Sequence, residues 1–303
     1  MSAVGASQGP ATIGEEAATP YAVLPDPATL FLTRSKRLRA LAPGHTLEPY
    51  LSFVADVAEA QHAAQADLPP AELPAAEAIR RALEQDTPPL ARDTFEPGEA
   101  GVIAMRRFLE GLRQTVVPAD AAAAIQSLHA ASSEELSQLL AAALKDAPAE
   151  NIAMRVLALA GLQIHLSRLA ANLTAADLKR VAGGACPACG SPPMTGSVVG
   201  WPSAHNSRYC ACALCGTMWN VVRIKCAFCS STEGVGYHAI EGGPDTVKAE
   251  TCDKCGRYLK VLYQVKDHML DPLADDVATL GLDLLLAKEG WKRGGQNPFL
   301  LGY

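Results

Sequence analysis

The chain has 303 residues, of which 49% are apolar and 19% charged, with a formal net charge of −6. That balance excludes wholesale disorder, and it lacks the bulk positive charge with which a protein attracts nucleic acid. A single core stops growing near this length, so two or three domains are expected.

Residues 1–27 begin MSAVGASQGPATIGEEAATP, with neither a basic n-region nor an apolar h-region, so they are expected to be a flexible tail on a cytoplasmic protein. Residues 28–182 read as an α-helical domain. Helices are predicted over 28–42, 75–85, 100–114 and 119–131. In TLEPYLSFVADVAEAQHAAQ, Leu47, Leu51, Val54 and Ala58 form the stripe of a further helix, with Thr46 as its candidate N-cap. Ser132, three residues before Glu135, opens another with a capping box. The run Ile152, Val156, Leu159, Leu162, Leu166, Leu169 and Leu173 lies on one face of a helix expected at the centre of the bundle. Arg155, Gln163, His165 and Arg168 interrupt it, which argues for a buried core helix and against a membrane span. MRRFL at 105–109 imitates a twin-arginine export motif, but it is internal and Glu110 follows it. The proline-rich stretches ADLPPAELP and DTPPLARDTFEPGEAG are predicted loops within this domain.

At VAGGACPACG the composition shifts to Gly, Cys, Pro and short β-rich runs such as MWNVVRIK and YLKVLYQV. All nine cysteines lie between 186 and 255. Eight form C-x-x-C pairs: Cys186/Cys189, Cys212/Cys215, Cys226/Cys229 and Cys252/Cys255. The last four positions are the first four shifted by 40, and 22 residues separate the pairs within each half. Two copies of one module are therefore expected at 183–222 and 223–265, each a tetrahedral four-thiolate site of the zinc-ribbon or rubredoxin kind. Gly190, Gly216 and Gly256 follow a cysteine pair, where a metal knuckle turns the backbone through positive φ; Ser230 departs from that rule. A module of about 40 residues buries too little surface to fold unaided, so the metal is expected to fold it.

Other readings of the cysteines are a disulfide framework, which needs an oxidising compartment, a thioredoxin-like redox pair, and a different partition such as Cys212/Cys215 with Cys226/Cys229. The repeat favours two sequential sites. Thiolates alone do not separate zinc from iron. Cys210 stands outside both ligand sets and is expected to be a small packed side chain.

Between 186 and 265 there are seven basic and five acidic residues, and two divalent ions with four thiolates each would turn the excess negative. A ribbon-type nucleic-acid-binding protein is the alternative reading, and this charge does not favour it. No nucleophile elbow, phosphate loop or dinucleotide fingerprint is present, so no catalytic residues are assigned and no enzyme is expected. His165 faces a helix core, His238 and His268 lack spaced partners, and all three read as structural. Residues 266–303 are expected to hold a C-terminal helix, LADDVATLGLDLLLAKEG, started by Asp271–Pro272 and stopped by Gly290.

The fold class is thus α+β: an N-terminal all-α domain, two tandem rubredoxin-like or zinc-ribbon-like four-cysteine modules, and a C-terminal helix. With RLRALAPGHTLEPYLSFVADVAEAQ near the start and ADDVATLGLDLLLAKEGWKRGGQNPFL at the end, the chain from about residue 28 resembles the formate dehydrogenase accessory protein FdhE family. The resemblance implies a cytoplasmic, non-catalytic maturation factor whose partner is the catalytic subunit of formate dehydrogenase before export. It implies iron at two rubredoxin-like sites, with the eight paired cysteines at the family's ligand positions. Neither nucleic-acid binding nor membrane insertion is expected.

Overall fold

A computed structural model describes residues 19–112, 117–145 and 151–302. Most of the expected tail, residues 1–18, and the end of the helix expected over 100–114 lie outside these residues.

Among the described residues, seven α-helices form the N-terminal part: α1 (Pro27–Leu41), α2 (Glu48–Ala64), α3 (Ala76–Glu84), α4 (Gly98–Leu112), α5 (Ala119–Ala130), α6 (Ser133–Leu144) and α7 (Ile152–Ala171). Local chemistry fixes several starts. Asp26 accepts the Ala28 amide at 3.0 Å with Pro27 in the first turn, and the Ser132/Glu135 capping box forms with both reciprocal bonds. Thr46 does not cap α2: the N-cap position is Leu47, without a side-chain bond, and the amide of Leu47 donates instead to His45 Nδ1.

Helix α7 is the bundle's axis, flanked by α4, α5 and α6. Leu157 to Leu166 are buried without interruption, so polar Gln163 and His165 lie inside. By length and composition α7 passes for a membrane span, and its burial shows it to be a core helix. Gln163 is satisfied there: its Oε1 accepts from Gln61 at 2.7 Å and its amide donates to the Ala213 carbonyl at 2.6 Å. Gly161 lets α4 come close, since a Cβ would stand 2.4 Å from Met105 Sδ. Ile152, the first residue of the expected apolar face, is half exposed. The arginines of the imitation export motif are occupied within the bundle, Arg106 on the Ala131 carbonyl and Arg107 on Glu110.

One mixed sheet carries both cysteine modules. Its strands are β1 (Ala22–Val23), β2 (Pro193–Val198), β3 (Arg208–Cys212), β4 (Met218–Asn220), β5 (Val235–His238), β6 (Val247–Cys252), β7 (Arg257–Tyr263) and β8 (Lys292–Arg293). They lie in the order β1-β4-β3-β2-β7-β6-β5, with β8 against β7. Each module is an antiparallel meander, β2-β3-β4 and then β5-β6-β7, so the 40-residue repeat is a structural one. The meanders join through a parallel seam between β2 and β7, in which Gly196 pairs with Val261 and Val198 with Tyr263.

Three further expectations change. Residues 22 and 23 are not tail: they pair with Trp219 and Met218 and close the β4 edge. The strand expected over MWNVVRIK ends at Asn220, leaving Val222 and Ile224 exposed. The C-terminal helix breaks into α8 (Ala274–Ala278) and α9 (Leu280–Lys288). Beside the break, the buried ammonium of Lys260 takes the Asp276 carbonyl of α8 at 2.6 Å and Asp283 Oδ2 of α9 at 2.6 Å, tying both pieces to β7. Asp271 does cap this segment, accepting the amides of Leu273 and Ala274, and Gly290 ends it at φ +87. The main core runs without a break from Phe31 and Leu51 through α7 to Cys186, Trp219, Leu259 and Phe299. Helices and first module therefore share one interior.

Candidate metal centres

The structure gathers the eight paired cysteines into two groups, Cys186/Cys189/Cys212/Cys215 and Cys226/Cys229/Cys252/Cys255, the sulfurs of each within 4.8 Å of one another. The local fold explains how. In the first module the Cys186 amide donates to the Ser191 carbonyl, the Gly190 amide to the Cys186 carbonyl, and the Cys212 amide to the Thr217 carbonyl. In the second, Cys226 to Ser231, Ser230 to Cys226 and Gly256 to Cys252 repeat the pattern. These bonds fold each C-x-x-C pair into a tight loop whose closing residue is left-handed: Gly190 at φ +77, Gly216 at +77, Ser230 at +63 and Gly256 at +66. Ser230 keeps the knuckle conformation and bears its steric cost.

The distances test what such groups can hold. Cys186 to Cys215 is 3.6 Å, Cys189 to Cys212 3.4 Å, Cys226 to Cys255 3.8 Å and Cys229 to Cys252 3.6 Å. A tetrahedral ion with metal–sulfur bonds of about 2.3 Å spaces its ligands about 3.8 Å apart, whereas a disulfide requires about 2.05 Å. The donor set and spacing fit one thiophilic ion per group, and all nine cysteines are free of disulfides. Amides of Leu214 and Cys215 point at Cys212 Sγ, both at 3.4 Å. Hydroxyls stand beside two more sulfurs: Ser191 Oγ is 3.3 Å from Cys189 and Thr217 Oγ1 is 3.2 Å from Cys215. Such groups orient ligands and stabilise thiolate charge. The sequence reading missed both; their position two residues past a cysteine pair was the available signal.

Burial pushes the thiols of Cys186 and Cys215 well above the ordinary value and lifts Cys226 to about 12. Cys212 is held well below it: burial opposes ionisation, but the three neighbouring sulfurs and the Cys215 amide outweigh that. An incoming ion must therefore displace protons from buried thiols.

The two centres differ in cover. All four cysteines of the first are buried, whereas Cys229 is exposed and Cys255 half-buried in the second. The first is sealed by the helical part. Amides of Leu90 and Arg92, in a loop between α3 and α4, donate to the carbonyls of Ala188 and Cys189 at 2.9 Å, and Gln163 of α7 holds the Ala213 carbonyl.

Cys210 belongs to neither group. It is fully buried on β3 with its thiol raised to about 11 by burial, beside an ion pair that joins the modules. Arg208 Nη1 lies 2.8 Å from Glu250 Oε2, and the two side chains are 1% and 4% exposed. Strands β2 and β7 lie between the two, and a Cβ at Gly196 of β2 would stand 3.3 Å from Val261 Cγ2 and 3.4 Å from Arg208 Nε. Tyr237 also donates to Glu250 Oε2, at 3.0 Å. His165 lies in the bundle against Phe95, and His238 packs by Trp291, 4.0 Å from Glu289.

A helical bundle fused to a sheet of two four-cysteine meanders defines a class of protein with two four-thiolate groups, each able to hold a metal ion. Consecutive stretches match the models "FdhE, N-terminal" over residues 19–183, "FdhE, central domain" over 185–223 and "FdhE, C-terminal domain" over 224–300. The chain is 40% identical over 297 residues to the Protein FdhE homolog of Rhizobium meliloti, covering 97% of each. It is 34% identical to Protein FdhE of Salmonella arizonae, over 93% of this chain and 91% of that one. It also superposes on the crystal structure of the FdhE protein from Pseudomonas aeruginosa with a TM-score of 0.83 at 32% identity, over 93% of this chain and 99% of the other. The chain belongs to the FdhE family.

Proposed function

We propose that this protein is a cytoplasmic, non-catalytic maturation factor for respiratory formate dehydrogenase that engages the immature catalytic subunit before its export. Cys186, Cys189, Cys212 and Cys215 hold one metal ion and Cys226, Cys229, Cys252 and Cys255 another. The observation that carries the reading is the pair of complete four-sulfur groups within a chain that matches the FdhE family models in succession between residues 19 and 300. Four protein donors per ion leave no position for a substrate, which favours a structural or recognition role over metal-assisted catalysis. When bound, the ion supplies fixed geometry: it pins two knuckles together and so orders the meander beyond them. Iron is the metal that the family resemblance implies, with zinc the other ion suited to four thiolates.

A pull-down of the full chain from formate-grown cells tests the partner. Recovery of the catalytic subunit is the expected result, and failure to recover any formate dehydrogenase subunit overturns the assignment. Metal analysis with a visible spectrum of fresh protein tests the ion. Two irons per chain give a thiolate-to-iron absorption band, and a colourless protein carrying two zinc ions overturns iron.

A further inference from the structure

Identical ligand spacing in the two modules hides a difference in what surrounds them. Around the first cluster every knuckle is covered. Gly190 lies 3.3 Å, at its Cβ position, from Pro88, and Gly216 lies 3.0 and 3.1 Å from Leu30 and Pro25. Buried Leu90 and the Leu90 and Arg92 amides close the remaining side. Around the second cluster, a Cβ at Gly256 would meet no described atom within 4 Å, Cys229 is open to solvent and Cys255 is partly so. Its Cys226–Cys229 knuckle also closes on left-handed Ser230, a conformation that strains an L-residue. The hydroxyl that Thr217 places beside Cys215 has no counterpart beside Cys255, where the corresponding residue is Arg257.

We propose that the clusters divide their labour: the first holds its ion permanently, and the second is an exchange site that passes a thiophilic ion to and from incoming thiolate or chelating donors. This rests on the reading of both groups as metal centres. Ligand replacement at a four-thiolate ion proceeds through attack by an entering donor, so access to the ion and its sulfurs sets the rate. The entering lone pair forms the new bond to the metal as the bond to Cys229 Sγ breaks. The freed thiolate takes a proton from water, and the metal keeps its oxidation state. Cys255 follows, and the two buried sulfurs leave last.

Full-length protein loaded with two zinc ions and challenged with a chromogenic pyridylazo chelator gives the test. One ion per chain is expected to leave fast, and the other slower by roughly tenfold or more. Cys229→Ser is expected to abolish the fast phase and keep the slow one, while Leu90→Ala, which uncovers the first knuckle, accelerates the slow phase alone. Circular dichroism confirms that each variant is folded. Release of both ions in a single phase, or loss of the slow ion in Cys229→Ser, overturns the division of labour. Uptake of fewer than two ions overturns the metal-centre reading itself, and is seen before any chelator is added.

Discussion

Breaking the ion pair between the modules is expected to cost far more than the pair contributes. Arg208 and Glu250 meet at 2.8 Å with almost no solvent access, and burial lifts the Glu250 carboxyl above its usual range despite Arg208. Desolvation therefore outweighs the attraction, which makes the intact pair a poor source of stability. Removing one partner leaves the other as an uncompensated buried charge at a cost of about 3–5 kcal/mol. Either Glu250→Ala or Arg208→Ala should thus lower the melting temperature by on the order of 10 °C, given about 2–4 °C per kcal/mol for domains of roughly this size. The double exchange Arg208→Leu with Glu250→Leu should recover most of that loss. A double-mutant cycle measured by urea unfolding of metal-loaded protein gives the coupling. Additive single effects, or a loss under about 1 kcal/mol from Glu250→Ala, would refute the reasoning.

Ser230→Gly relieves a φ of +63 but frees the unfolded chain, so a net gain of about 0.5–1 kcal/mol is expected, read as a higher unfolding midpoint of metal-loaded protein. Gly184→Ala brings a Cβ within 1.8 Å of the Ala227 carbonyl beside the second cluster, and thermal unfolding should show a loss of about 2–3 kcal/mol. Burial, with a smaller push from Arg168, lowers His165 to about 4. The unfolded chain therefore binds this proton first, and the stability tied to neutral His165 is complete above pH 6.5 and falls as pH drops from 6.5 towards 4, by up to about 3 kcal/mol. Relative to the parent, His165→Gln should flatten melting temperature against pH in that window; identical slopes would refute it.

The legible parts of the chain were those in which chemistry repeats at fixed spacing. Eight sulfurs and three glycines announced both knuckle pairs while Ser230 read as a departure, and the left-handed angles at Gly190, Gly216, Ser230 and Gly256 follow from a turn that any such site requires. Ser132 with Glu135 announced a helix start because both halves of that contact are local. What stayed hidden depends on partners distant in sequence. Ala22–Val23 becomes a strand only because β4 offers an edge, and Lys260 meets Asp276 and Asp283 only once the last two helices pack beside β7. Arg208 and Glu250 lie 42 positions apart and are unremarkable until the seam brings them together. The unequal cover of the clusters was equally invisible: the repeat is the same in both, and the proline-rich stretch that seals the first looked like an ordinary loop.

The parallel seam has a consequence for the newborn chain. Gly196 waits for Val261, which is synthesised 65 residues later. At about 5–20 residues per second the outer edge of β2 stays unpaired for several seconds on the ribosome, with its meander otherwise ready to close. An early strand from a neighbouring polypeptide would find that edge vacant, so crowded synthesis should favour swapped dimers in which each copy lends the other its seventh strand.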